Sequence, residues 1–132
     1  MKLFQNQRLR RYYTQKESST APHDTVTLAG GGQLHGVDLP HTGAAVLITV
    51  SPTAVALFAE PPEGSIRNVW RVSVDDLAVL GDRVRVFLSP RDTGPMRTVA
   101  EITRAAATDL GVKPGSEHFA ALKATELSVS PL

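Results

Sequence analysis

The sequence predicts a mainly β fold: a small Greek-key barrel with one short helix. Three observations carry that expectation. Short apolar runs recur along the chain, several with two-residue alternation, and Gly, Pro and Asp turn signals separate them. Only residues 104–110 have the composition and flanks of a helix. Apolar residues make up 42% of the 132 positions, which suffices for the core of one domain.

The elements follow in order. Residues 1–22 hold few apolar side chains and no clean period, so they read as a basic tail or linker outside the domain. From Thr25 the pattern becomes β: Val26 and Leu28 alternate with Thr25 and Thr27, Gly30, Gly31 and Gly32 turn the chain, and Leu34 begins a short return strand. Residues 45–50 (AVLITV) form a continuous apolar run, as a buried strand does; Ser51-Pro52 breaks it, and 54–58 make another. Residues 60–64 are a loop. Residues 69–74 and 77–80 read as strands, with Asp75-Asp76 as a turn between them rather than an acid/base pair. Gly81-Asp82 is the next turn, and 83–88 (RVRVFL) alternate charged with apolar side chains, as a half-buried strand should. Residues 92–95 turn the chain and 96–102 run back. Thr103 is the N-cap of the helix and Gly111 its stop. Residues 113–115 turn, and 118–123 and 126–130 are the closing strands. Many short strands, with one helix before the last hairpin, match a barrel of the oligonucleotide/oligosaccharide-binding kind. No internal repeat at a fixed period is visible.

Charge and composition exclude several functions. The net charge of +1 argues against a bulk polyanion partner, although residues 1–20 carry five Lys/Arg against one Glu. Arg8, Arg10, Arg11, Tyr12 and Tyr13 could form a nucleic-acid arm, but aromatics are only 5% of the chain and mostly lie outside the barrel strands. There are no cysteines, hence no disulfide framework or thiolate chemistry, and this fits a reducing compartment. No apolar run approaches the roughly 20 residues that span a bilayer, and no apolar stretch follows the basic N-terminus as in a secretory signal. A cytoplasmic location is expected. His23, His35, His41 and His118 are scattered without metal-ligand spacing, so no metal is expected. No nucleophile motif and no phosphate-binding Gly-Lys-Ser/Thr loop is present, so the chain reads as no enzyme and holds no ATP site. Trp70, the only tryptophan, reads as core or interface packing.

What remains is a set of donors suited to a tetrahedral dianion. Arg67 offers a planar fork, Lys123 a point charge, and Ser65 and Thr103 hydroxyls. Charge-assisted hydrogen bonds are about twice as strong as neutral ones. Thr103 stands where a helix begins, so unpaired amides and the helix dipole point the same way.

Ser65-Ile66-Arg67-Asn68 and Lys123-Ala124-Thr125, with the strands between them, resemble the Mop-type TOBE domain, a molybdate/tungstate-binding module. The match covers about residues 65–132. In that family the Ser and Arg of Ser-x-Arg-Asn, and the Lys of the penultimate strand with the amide after it, contact the oxyanion. The resemblance therefore implies Ser65, Arg67, Lys123 and Ala124 as contacts. A Thr at the start of the small helix of a neighbouring subunit completes such sites, which implies Thr103. A Ser often follows three residues later; here that position is Ala106, so one donor is missing. Asn68 and Thr125 are implied as supporting residues, Asn68 through backbone bonding at the strand start.

Residues 24–62 resemble the segment that joins an ABC ATPase core to its terminal TOBE unit in molybdate importers. The family's Gly-x-x-Val-x-Val-Arg-Pro run reads Gly43 to Pro52 here, with Ser51 in place of Arg. The implied function is molybdate or tungstate sensing by the regulatory domain of an importer's ATP-binding subunit. The implied partners are a second copy of the chain, sharing the ligand at a subunit interface, and transporter subunits at the inner face of the cell membrane. No nucleic acid is implied. A stand-alone molybdate-homeostasis protein, and a TOBE domain for another ligand or one that only braces a transporter dimer, are the alternatives.

Overall fold

A computed structural model describes residues 7–15, 23–28, 32–37, 45–64, 66, 68–92 and 94–131. Among these residues ten strands make two antiparallel sheets, and one α-helix, α1 (Arg104–Leu110), follows the eighth strand. The strands are β1 (Gln7–Gln15), β2 (His23–Thr27), β3 (Gln33–Val37), β4 (Ala45–Val50), β5 (Ala56–Phe58), β6 (Asn68–Leu80), β7 (Arg83–Pro90), β8 (Thr98–Thr103), β9 (Glu117–Leu122) and β10 (Leu127–Pro131). One sheet runs β10-β4-β1-β2-β3 and the other β5-β9-β6-β7-β8. The second sheet curls until its edge strands β5 and β8 touch, which gives the barrel character expected from the sequence.

Alternation places the core. Val84, Val86 and Leu88 point inward from β7, Val72 and Val74 from β6, and Val46, Ile48 and Val50 from β4. These join Val26, Leu34, Trp70, Ala120 and Leu122 in one cluster shared by both sheets. Each such aliphatic side chain contributes about 1.5–3 kcal/mol relative to leaving it in water.

Three expectations need correction. Residues 7–15, expected within a tail, form β1, which pairs with β2 on one side and β4 on the other. A register shift between Leu9 and Tyr12 breaks the two-residue period there, so the alternation that marks a strand is absent from the sequence. Asp75-Asp76 is not a turn. β6 is one strand of 13 residues, and the pairing with β7 shifts register between Val74 and Asp76, a bulge. Ser89 Oγ donates to Asp75 there, and Asp76 Oδ1 accepts from the Leu77 amide at 2.8 Å. The third correction concerns repetition. β1 pairs with β2 and β4 as β6 pairs with β7 and β9; β3 follows β2 as β8 follows β7. Each half then makes a short 3-10 turn, Pro52–Ala54 or Ala124–Glu126, and sends its last strand into the other half's sheet. The halves are topological copies that exchange β5 and β10. Their side chains diverge and α1 has no counterpart among the described residues, so no sequence period betrays them.

Candidate functional site

Those residues implicated by sequence that the structure describes fall toward the two ends of β6. At its start, Asn68 pairs with Leu122 across to β9, so Lys123 emerges beside it. Lys123 is exposed and caps the Ala124–Glu126 turn, and it forms no ion pair among the described residues. Ala124 is the first residue of that turn, where a backbone amide has no partner within the turn. Thr125 is exposed beside it. Ser65 and Arg67 lie outside the described residues; Ile66 between them lines the same cleft as Lys123. That cleft has a volume of about 430 Å³, and Ser51, Thr53, Ala54, Ala56, Ala121 and Glu126 complete its walls.

Asn68 is buried and acts as a clamp. Its Oδ1 accepts from the His35 amide at 2.7 Å, and its Nδ2 donates to the His35 carbonyl at 2.9 Å. A side-chain amide thus mimics a strand partner on the open edge of β3 and ties one half of the molecule to the other.

At the other end of β6, Leu80 pairs with Arg83, and Arg83 with Thr103. Thr103 Oγ1 accepts from the Ala106 amide at 3.1 Å, the expected N-cap, and its own hydroxyl hydrogen remains to be donated. Ala106 is half-buried. Gly111 closes the helix in the left-handed conformation, φ 67°. In the register, Thr103 and Lys123 thus belong to opposite ends of β6, while the curl of the sheet brings β8 against β5 and the Pro52–Ala54 turn.

Other polar groups are occupied or isolated. Arg71 and Arg91 border a second cleft of about 500 Å³ with Trp70 and Asp92. Both arginines pair with Glu117, at 3.0 and 3.5 Å, and Arg71 also reaches Asp92 at 3.6 Å. Trp70 packs in the core, and its buried Nε1 meets no partner among the described residues. His118 is buried, its Nε2 lies 2.8 Å from Ser116 Oγ, and burial lowers its pKa below the usual histidine value. No group of three His, Cys, Asp or Glu side chains suited to a metal forms among the described residues. No helix among them is long and apolar enough to cross a membrane.

Two features of the Lys123 cleft escaped sequence reasoning. Ser51 and Thr53 bring hydroxyls from the first half, and Glu126 brings a carboxylate. The only available signal was the placement of Ser51-Pro52-Thr53 and Lys123-Ala124-Thr125, each directly after a buried strand.

The TOBE domain profile matches residues 64–129, half of the chain. The chain belongs to the TOBE-domain family. It is 35% identical over 113 residues to the molybdenum import ATP-binding protein ModC of Mycobacterium tuberculosis, covering 83% of this chain and 30% of that protein. It is 31% identical over 86 residues to the molybdate/tungstate import ATP-binding protein WtpC of Pyrococcus horikoshii, covering 65% of this chain and 24% of that one. This TOBE chain thus spans less than a third of the length of these relatives. Its fold is that of the cytoplasmic molybdate-binding protein ModG, solved with molybdate bound: TM-score 0.81 over the whole of both chains, at 22% identity.

Proposed function

We propose that this TOBE domain binds molybdate or tungstate and serves as the feedback-sensing domain of a molybdate importer's ATP-binding subunit in the cytoplasm. The observation that carries the proposal is Lys123: an exposed cation, unpaired among the described residues, beside the first amide of a turn in a hydroxyl-lined cleft. The names of the relatives supply the oxyanion and the transporter. The chain acts as a binding domain without chemistry of its own.

Ser65, Arg67, Lys123 and the Ala124 amide form one part of the site, and Thr103 of a second copy forms the other. The resemblance to sites completed by a neighbouring subunit suggests this division, and the register that sets Thr103 and Lys123 at opposite ends of β6 accords with it. Ligation across two copies gives the oxyanion a higher affinity for the associated arrangement than for the separated one. Such differential binding is what feedback on import requires.

Calorimetric titration with molybdate, with sulfate and phosphate as controls, tests the ligand. Saturable heat with molybdate alone, lost in Arg67→Ala and Lys123→Ala, is expected. The division between copies is tested by mixing Thr103→Ala with Lys123→Ala chains: each binds poorly alone, and mixed assemblies regain intact sites. A mixture as weak as its parts would refute the shared site. One observation favours a second reading, a domain that braces a transporter dimer without ligand: Glu126 places a carboxylate in the cleft. Absence of molybdate heat would sustain that reading.

A further inference from the structure

The proposed site is one donor short, because Ala106 supplies no hydroxyl. The Lys123 cleft holds two hydroxyls that, among the described residues, bond only to each other. Ser51 Oγ and Thr53 Oγ1 stand 3.0 Å apart on its wall. Two hydroxyls carry two hydrogens, and their mutual bond uses one. The second remains to be donated, and the hydrogen bond between the pair polarises it. Ser51 occupies the N-cap position of the Pro52–Ala54 turn, where serine normally caps through its side chain, yet it makes no capping bond. Its hydroxyl is therefore free of the usual structural duty.

The internal repeat explains the placement. Ser51 and Lys123 are equivalent residues of the two halves. Both precede a 3-10 turn, with φ/ψ of −74°/135° and −68°/140°, and the two turns close with the same bonds, Ala54 N to Ser51 O and Glu126 N to Lys123 O, each 2.9 Å. Both turns line one cleft. The second half supplies a cation and an amide. The first supplies hydroxyls, since Pro52, the counterpart of Ala124, has no N–H to offer.

We infer that Ser51 and Thr53 are oxyanion-binding residues of the same chain as Lys123, supplying a hydroxyl donor to its site. This rests on the oxyanion reading above. It makes the binding site a product of both halves of the domain, in which residues N-terminal to the Ser-x-Arg-Asn motif set affinity directly.

The test is calorimetry with sodium molybdate on the full chain, Ser51→Ala/Thr53→Val, the two single variants, Lys123→Ala and Ser51→Lys. A hydrogen bond to a charged group predicts a loss of about ten- to a hundredfold for the double variant. Each single variant loses less, because the surviving hydroxyl keeps a hydrogen to donate. The ligand-free melting temperature stays near that of the parent, since no cap is broken. Ser51→Lys places a second cation at the equivalent position and tightens binding about tenfold. If the parent chain binds no molybdate, the oxyanion reading falls and this inference with it. If the parent binds, Lys123→Ala does not, and the double variant binds like the parent, this inference alone is overturned. Should the double variant melt early, Ser51→Lys decides: unchanged or weaker binding overturns the assignment.

Discussion

Asn68→Ala tests how the two halves of the domain are joined. The Asn68 side chain, 4% exposed, makes both of its bonds to the backbone of His35 on β3. Alanine removes both and leaves the His35 amide and carbonyl facing the space vacated by the side chain. Each neutral hydrogen bond is worth about 0.5–1.5 kcal/mol net, and a backbone group left unsatisfied costs about 1–3 kcal/mol. His35 is half-buried, so water repairs part of the loss. The expected destabilisation is about 2–3 kcal/mol. With an m-value of about 1–3 kcal/mol per molar urea, the midpoint falls by about 0.7–3 M. Urea unfolding followed by fluorescence of Trp70, the single tryptophan and a buried one, reads this directly. Asn68→Asp keeps an acceptor but turns its second oxygen toward the His35 carbonyl, so it destabilises at least as much at neutral pH. Asn68 also follows Arg67, so the alanine variant weakens molybdate binding as the strand start loosens. A stability loss below about 0.5 kcal/mol would refute the clamp.

Three further outcomes follow from other parts of the structure. Burial lowers the folded-state pKa of His118, so the unfolded chain takes up the proton first. The stability held above a pH of about 6.5 is lost as pH falls through the folded value, and His118→Gln flattens that part of the urea midpoint between pH 7.5 and 5; an unchanged profile would contradict it. Glu126→Gln removes the carboxylate from the Lys123 cleft and tightens molybdate binding several-fold by calorimetry; unchanged or weaker binding would refute a direct contact. Val79 and Leu80, large apolar side chains exposed at the tip of β6, lie at the same end as Thr103. Leu80→Lys leaves the melting temperature unchanged and weakens self-association by sedimentation velocity, and unchanged association would exclude this tip from the interface between copies.

Sequence alone determined what local chemistry fixes. Alternation in Arg83 to Leu88 marked β7, and the Thr103 hydroxyl with the glycine at 111 bounded α1, because cap and αL preferences act within one turn. It also brought Lys123 and Asn68 into view, and the register of β6 with β9 sets them side by side. Tertiary structure decided what depends on pairing at long range. β1 was illegible because its bulge destroys the two-residue period, and only its neighbours β2 and β4 make it a strand. The continuity of β6 through Asp75-Asp76 was hidden for the same reason. The exchange of β5 and β10 brings the Ser51 and Lys123 turns, far apart in sequence, to one cleft. A hydroxyl pair and a glutamate beside a lysine carry no signature in a linear chain, because their meaning lies in a distance that only the folded sheets create.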